Sequence, residues 1–441
     1  MRPFVEKQLL HTLKLWDQRE SGLWRANPRH LLSSVLSSAQ GIRLLKDEKL
    51  ELNKTLQLLI RHKRLLDWVN QDHVSDDGCQ WSRRLKALQS SKWKELRSPG
   101  TTKSEFLTDS VGPVPVFFSF PDMLYNKIAA HLGPRVCREF CDISNEIPTW
   151  TFLRRNPGAS SMDSLLDSLR GLGHQAGTCQ EADNCIKVES ACPSAVPLSQ
   201  LPSYLSGELE MQDESSQLVA QLVQCKPTDT VIDLCSGAGG KALGILSCLQ
   251  SSGCLVLHDP RVSAVKRAKQ RFIKAQAHHE ACPQVEFLTN MSLVLSWKES
   301  ANWVLIDAPC SNTGSLRRHP ECKYRYFEDE RDHDSFLQLQ EMQRYLLGCA
   351  NDLLVRGGSM VYSTCSILPE ENETQIHWAE QHLGLAVSTA ECFLPKTFSR
   401  DGYFAAVLKS ARSMVDVCAV HILEKLFYDI AATPTPREIG T

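Results

Sequence analysis

From Thr230 onward, short apolar runs alternate with helical stretches. That alternation constrains the fold more than any other feature of the chain. Five runs carry it: TVIDLCSG, CLVLHD, QVEFLT, ANWVLIDAP and GGSMVYSTC. Runs this short and apolar suit strands covered on both faces. Strands separated by helices build crossover units, so the expected architecture is α/β, a mainly parallel sheet with helices on both sides. A later run, Asp401–Leu408 (DGYFAAVL), predicts one more strand, antiparallel at the sheet edge.

Upstream the pattern is different. Residues 5–97 repeat apolar positions at three and four and are sparse in Pro and Gly, which predicts helices. Residues 98–115 are rich in Ser, Thr, Pro and Gly and are predicted to be a linker. Residues 116–206 form a second, smaller section. Within it FPDMLYNKIAAHLG predicts a helix, with Pro121 and Asp122 in the first turn and Gly133 at the stop. Trp150–Asn156 predicts a short strand. The stretch 158–200, weakly patterned, is expected to be one helix plus loops. The expected division is thus 1–97 helical, 98–115 linker, 116–206 substrate-binding section, 207–412 catalytic domain and 413–441 tail.

Composition narrows the class. No apolar run reaches the roughly 18 residues of a membrane span, and MRPFVEKQLL lacks the apolar core of a secretory signal. Seventeen cysteines, an odd number in a chain too large to need disulfides for its core, fit an intracellular, reducing compartment. None is spaced C-x-x-C, so no metal site is expected. Residues 1–100 hold 19 Lys/Arg against 11 Asp/Glu in a chain of net charge −2. That local excess suits a polyanionic partner, or simply a solvated helical surface.

Two strand ends look built for a nucleotide-type cofactor. The first strand runs into Asp233-Leu-Cys235-Ser236-Gly237-Ala238-Gly239-Gly240-Lys241 and then a helix. Glycines let backbone approach a ligand closely. The second strand ends in His258-Asp259, and an acid there can accept hydrogen bonds from both ribose hydroxyls. The spacing fits neither a P-loop nor a dinucleotide fingerprint. An adenosine ligand without pyrophosphate, S-adenosylmethionine, is expected, with Asp233 meeting its amino group. The alternative is a plain tight turn with a capping acid.

Two further strands end in cysteines, in IDAPC at Cys310 and YSTC at Cys365. Ligands of open parallel sheets bind at the strands' carboxyl ends. Either cysteine alone could be a packed thiol, but two at neighbouring strand ends point to chemistry. Cytosine carbon 5 is a poor nucleophile; a thiolate added to carbon 6 makes it one. Asp307 is placed to hold the base by its polar edge, and Lys241 to stabilise charge developing on the ring.

These motifs resemble the RNA cytosine-5 methyltransferases of the Fmu/Sun group, which include small-subunit rRNA methyltransferase B. The resemblance rests on GELEMQDESSQLVA, DLCSGAGGK, HDPRVSAVKR, LIDAPCSNTGSLRRHPE, VYSTCSILPEENE and DGYFAAVL, with FPDMLYNKIAAHLG and WTFLRRN upstream, roughly Val116–Ser410. It implies a Rossmann-like methyltransferase sheet, with Cys365 as nucleophile and Cys310 assisting release. It puts cofactor contacts on Cys235–Lys241, Asp259, Asp307 and Asn290. RNA would be the partner, ribosomal or transfer, and the protein a monomer. Arg154, Arg155 and Asn156 are candidate RNA contacts, and the basic N-terminal helices would grip phosphates. Four positions depart from the family: Ala238 replaces a usual Pro, Ala264 an Arg, Asn290 an Asp and Asn312 a Gly. Arg267 is expected to substitute in part for the missing Arg. The rival reading is an RNA-binding assembly factor that kept the fold. A DNA methyltransferase conflicts with the Thr-Cys motif.

Overall fold

The computed structural model describes residues 3–17, 46–69, 80–90, 114–189, 195–276, 282–328, 331–395 and 400–410. The chain divides into two compact units. Among the described residues, the first holds those up to Glu146 together with Leu316–Ser335, and the second holds Ile147–Ser315 and Phe336–Ser410. Most of the 98–115 linker, and the tail after Ser410, lie outside the described residues.

The first unit is helical, as its periodicity predicts. Its helices are α1 (Pro3–Asp17), α2 (Lys46–Arg61), α3 (Lys63–Val69), α4 (Gln80–Gln89), α5 (Val114–Phe118), α6 (Asp122–Leu132) and α7 (Pro134–Ser144). Helix α6 stops where expected, at Gly133 with φ +79°. Leu9, Leu13, Leu56, Leu59 and Ile60 are buried on the inward faces. The unit closes at 146 rather than at 98–115 because buried cations tie α7 into it. The Arg61 guanidinium donates to the carbonyls of Ser144 and Arg317, both at 2.7 Å. The Lys323 ammonium, fully buried, donates to Arg61 O, Ser119 O and Asn145 Oδ1. Carbonyl oxygens satisfy a buried cation that no water can reach. Arg84 meets Asp67 bidentately at 2.7 and 2.8 Å. Part of the basic excess of this region is therefore structural, not free for a polyanion.

The second unit carries two sheets. A small antiparallel one has the order β2-β3-β1-β4, from β1 (Trp150–Arg155), β2 (Ala176–Thr178), β3 (Cys185–Glu189) and β4 (Leu209–Met211). Helix α8 (Met162–Gly171) packs Leu165, Leu166 and Leu169 against Leu153, Ile186 and Val188. The stretch 158–200 thus holds a hairpin as well as the expected helix. Strands of three and five residues are too short to reveal a period.

The large sheet has the order β10-β11-β9-β8-β5-β6-β7. Its strands are β5 (Thr230–Asp233), β6 (Cys254–His258), β7 (Gln284–Leu288), β8 (Ala301–Asp307), β9 (Leu354–Thr364), β10 (Leu385–Phe393) and β11 (Tyr403–Ser410). The first five pair parallel, as the alternation predicts. Strand β11 is antiparallel but interior, between β9 and β10. Strand β10 escapes sequence reading because eight of its nine residues are exposed or half-buried, and only Leu385 is buried. Alternate side chains feed two layers. Ile232, Val304, Ile306, Met360 and Tyr362 face α15 (Arg331–Leu353) and α16 (Glu373–Leu383). Val231, Leu255, Leu257, Leu305 and Val361 face α10 (Glu214–Gln221), α11 (Gly240–Ile245) and α12 (Val262–Gln276). The remaining helices of this unit are α9 (Pro202–Ser206) and α13 (Met291–Leu295), while α14 (Cys322–Arg325) belongs to the first unit. No described helix is long and apolar enough to cross a membrane.

Candidate active site

Strand order reverses where β8 lies beside β5, and this switch point is where open α/β sheets bind ligands. Parallel register sets the ends side by side: Asp233 pairs with Leu305, and Asp307 with Ser363.

The turn after β5 reaches α11 through Gly239 at φ +76°, a conformation that favours glycine. A Cβ there would stand 3.0 Å from the Phe272 ring and 3.2 Å from Ala268 of α12. The glycine therefore lets the turn press onto α12. Arg271, which the sequence did not single out, donates to Ala238 O at 2.6 Å and pairs with Glu210 at 3.0 Å. Asp259 Oδ2 accepts from Gly237 N at 3.0 Å. The same carboxylate is clamped by Arg261, whose Nε and Nη2 donate at 2.8 and 2.7 Å. Arg267 does not take this role: it is exposed on α12, while Arg261, two residues after the acid, reaches back. Asn290 caps α13, accepting from Ser292 N at 2.8 Å. Ser236 Oγ is buried without a hydrogen-bond partner among the described residues.

Asp233 accepts from Cys235 N at 3.3 Å. Burial first, and then the Asp307 carboxylate, push its carboxyl up to about 8. The unfolded carboxyl titrates near its usual 3.8. The native chain thus keeps a proton that the unfolded chain has released. This favours the native state most below about pH 4, and the advantage drains away as pH climbs to about 8. Asp233→Asn removes that slope. Between these limits the parent should lose at most about 1.4 kcal/mol per pH unit relative to the variant. Urea denaturation of both proteins across this range checks it; parallel stability curves would sink the assignment.

Cys310 follows β8, Cys365 follows β9, and their sulfurs lie 3.1 Å apart. The Cys365 thiol donates to Asn312 Oδ1 at 2.6 Å. The contact with Cys365 and then burial push the Cys310 thiol up. Lys241 Nζ lies 2.7 Å from Asp307 Oδ2, and Ser363 Oγ donates to Asp307 Oδ1 at 3.2 Å. Burial alone would lower the Lys241 ammonium, but the Asp307 carboxylate outweighs it and the net direction is up. Of the four residues expected to act on a base, the structure brings the two cysteines together, and Lys241 with Asp307.

Behind the cysteines sits a support that sequence reading missed. Glu371, buried, accepts from Ser311 N at 2.8 Å, from Ser311 Oγ and from Gln343 Nε2 at 3.1 Å. Asn372 accepts from Thr364 Oγ1 at 2.6 Å and donates to Ser366 O at 3.0 Å. Both lie in the PEEN run after the Thr-Cys motif, and a carboxylate beside a cysteine loop was the available signal. Gly314 threads between the loops, donating to Cys365 O at 2.8 Å and accepting from Gly402 N at 2.9 Å. A Cβ on Gly314 would stand 3.0 Å from Cys365 O and inside contact of the Gly402 backbone. Gly314→Ala should therefore cost about 2 kcal/mol. Thermal denaturation checks this; an unchanged midpoint would contradict the packing.

The candidate RNA residues turn inward. Arg154 is buried, bonded to Gln212 Oε1, to Gly240 O at 2.5 Å and to Asn156 Oδ1 at 2.9 Å. Burial, then Arg271, lower its guanidinium to about 9. Asn156, also buried, donates to Gly207 O at 2.8 Å. Arg155 is half-buried and donates to Ser160 O and Ala159 O at 2.8 and 3.0 Å. Arg154 and Asn156 tie the small sheet to the turn that carries Lys241; neither presents its polar atoms to a ligand, because internal carbonyls and amides occupy them. The fourteen described cysteines are all free thiols.

Residues 220–409 match the family model described as 16S rRNA methyltransferase RsmB/F. Ribosomal RNA small subunit methyltransferase B of Pectobacterium atrosepticum is 31% identical over 298 residues, covering 65% of this chain and 66% of that protein. Probable ribosomal RNA small subunit methyltransferase B of Bacillus subtilis is 28% identical, covering 64% of this chain and 61% of that one. The chain thus spans less than two thirds of the length of these curated relatives. The crystal structure of PH0851 superposes with TM-score 0.71 at 19% identity, covering 93% of this chain and 99% of its own. NSun6 from Pyrococcus horikoshii, solved with SFG, gives 0.57 at 17%, covering 67% and 99%. These structures share the fold. Residues 220–409, which match the RsmB/F family model, carry the turn after β5 and both cysteine loops.

Proposed function

We propose that the chain is an S-adenosylmethionine-dependent RNA cytosine-5 methyltransferase. The observation that carries this reading is the pair of sulfurs 3.1 Å apart at the ends of β8 and β9, beside the Lys241–Asp307 pair. The relatives' names make ribosomal RNA the first substrate to test.

The cofactor end fits the proposed ligand. A buried carboxyl at Asp233 suits a cationic amino group. Asp259 suits a ribose diol once Arg261 yields its bonds. The partnerless Ser236 hydroxyl lies in the turn between the two acids. When bound, S-adenosylmethionine supplies an electrophilic methyl group. Cys365 gives up its proton to solvent and its sulfur bonds cytosine carbon 6; the electrons of the 5,6 double bond shift toward carbon 5, which makes it nucleophilic. Asp307 takes the base's polar edge and Lys241 offsets charge developing on the ring. After carbon 5 has gained its methyl group it passes its proton to solvent, the freed electron pair re-forms the 5,6 double bond as the sulfur–carbon 6 bond breaks, and Cys310 assists that release. The target must leave its stack to reach these strand ends, so a loop or splayed cytosine suits the site.

Incubating the protein with ribosomal or transfer RNA and methyl-labelled cofactor tests the reading. After digestion to nucleosides, the label should elute as 5-methylcytidine. Label in another nucleoside, or no cofactor binding by calorimetry at millimolar concentration, would favour a scaffold that kept the fold.

A further inference from the structure

Asn312 is where the chain departs from the glycine usual in the motif it resembles, and the departure touches the proposed nucleophile. Its φ is +59°, in the left-handed region that Gly, Asn and Asp adopt most readily. A glycine would trace the same loop, so backbone geometry alone does not call for the side chain. The side chain is engaged at both ends. Its Oδ1 accepts from Cys365 Sγ at 2.6 Å, and its Nδ2 donates to Cys310 O at 3.5 Å. The Cys310 carbonyl can take only a donor, which turns the amide oxygen toward Cys365. A carbonyl oxygen accepts from a thiol and repels a thiolate.

We propose that Asn312 is a positioning residue for Cys365, whose amide oxygen holds the sulfur in its protonated, aimed form at rest. Other groups face the same sulfur. Cys310 Sγ is 3.1 Å away. The Lys241 ammonium lies close enough to feel a Cys365 thiolate and is paired to Asp307. Glu371 acts on Cys310 from behind. Lys241 favours the thiolate, while Cys310, as an S–H donor, can serve either state. Asn312 is the contact that opposes ionisation through a direct bond. A resting thiol is released when the bound base displaces the amide. The inference deepens the proposed function, since Cys365 is its nucleophile, but its test needs neither RNA nor cofactor.

The full chain, Asn312→Gly and Asn312→Asp are alkylated with iodoacetamide from about pH 6 to about pH 9. Peptide mass spectrometry follows Cys365, with the exposed Cys248 as internal reference. Gly removes the acceptor and should move the Cys365 profile to lower pH by about half a unit to one unit. That is roughly three- to tenfold faster alkylation at neutral pH. Asp keeps an acceptor, adds a negative charge and tolerates the same backbone, so its profile should lie at or above the parent's. A Gly profile that superposes on the parent's or moves to higher pH overturns the proposal. So does an Asp profile that moves to lower pH, a result that stands even if the Gly variant folds poorly. Absence of methyl transfer in the parent chain, with these shifts observed, would overturn the function and leave the role of Asn312 standing.

Discussion

Replacing Cys310 with alanine is expected to trap the chain on its RNA. In the proposed mechanism the Cys365 sulfur is then free to add to cytosine, while the neighbour proposed to assist its departure is gone. Incubation with RNA and cofactor should give a slow-migrating band on a denaturing gel, sensitive to ribonuclease. Turnover should fall by about a thousandfold or more, since cooperating groups fail together rather than additively. Cys365→Ala should lose activity at least as far and give no band, and the double variant should match it. Cys310→Ala removes the 3.1 Å sulfur contact, and Cys365→Ala removes that contact together with the hydrogen bond to Asn312. No band with Cys310→Ala, together with surviving activity in Cys365→Ala, would reverse the roles.

The second large effect is expected at Glu371, which touches no substrate. Its carboxylate accepts three hydrogen bonds, two from Ser311 and one from Gln343. Burial raises its carboxyl, and those bonds hold it back. Glu371→Ala leaves a main-chain amide, a hydroxyl and a side-chain amide competing for fewer acceptors in a dry interior. The expected loss is about 3 kcal/mol. In a domain of this size that lowers the melting midpoint by roughly 6–12 °C. Glu371→Gln keeps an acceptor for Ser311 N and should lose less. Calorimetric scans compare the three proteins; equal midpoints for Ala and parent would contradict a supporting role for Glu371. Because Ser311 adjoins Cys310, the Ala variant should also slow methyl transfer more than its stability loss explains.

How much of this was legible in the sequence can be followed residue by residue. The five parallel strands and the helix stop at Gly133 followed from periodicity and turn chemistry. Burial on both faces leaves a continuous apolar run, and a left-handed residue selects glycine. Strand β10 was not legible, because an exposed strand carries no burial signal. The β2–β3 hairpin was too short to show one. Arg154 and Asn156 read as a basic strand end that could face RNA, yet fold into internal bonds. Charge in a sequence does not say which way a side chain points. Arg267 was matched by spacing along the chain, whereas the turn after β6 brings Arg261 onto Asp259.

The sequence by itself determined the strand–helix alternation, and with it the parallel sheet whose strand ends carry Asp233, Asp259, Asp307, Cys310 and Cys365. Local side-chain periodicity is enough for that, since each strand and helix announces its own buried faces. Tertiary structure alone decided which of those groups meet. Register across β5, β8 and β9 set two sulfurs in contact, paired Lys241 with Asp307, and put an asparagine amide on Cys365. Such contacts join residues more than fifty positions apart, and only the packed sheet fixes their distance.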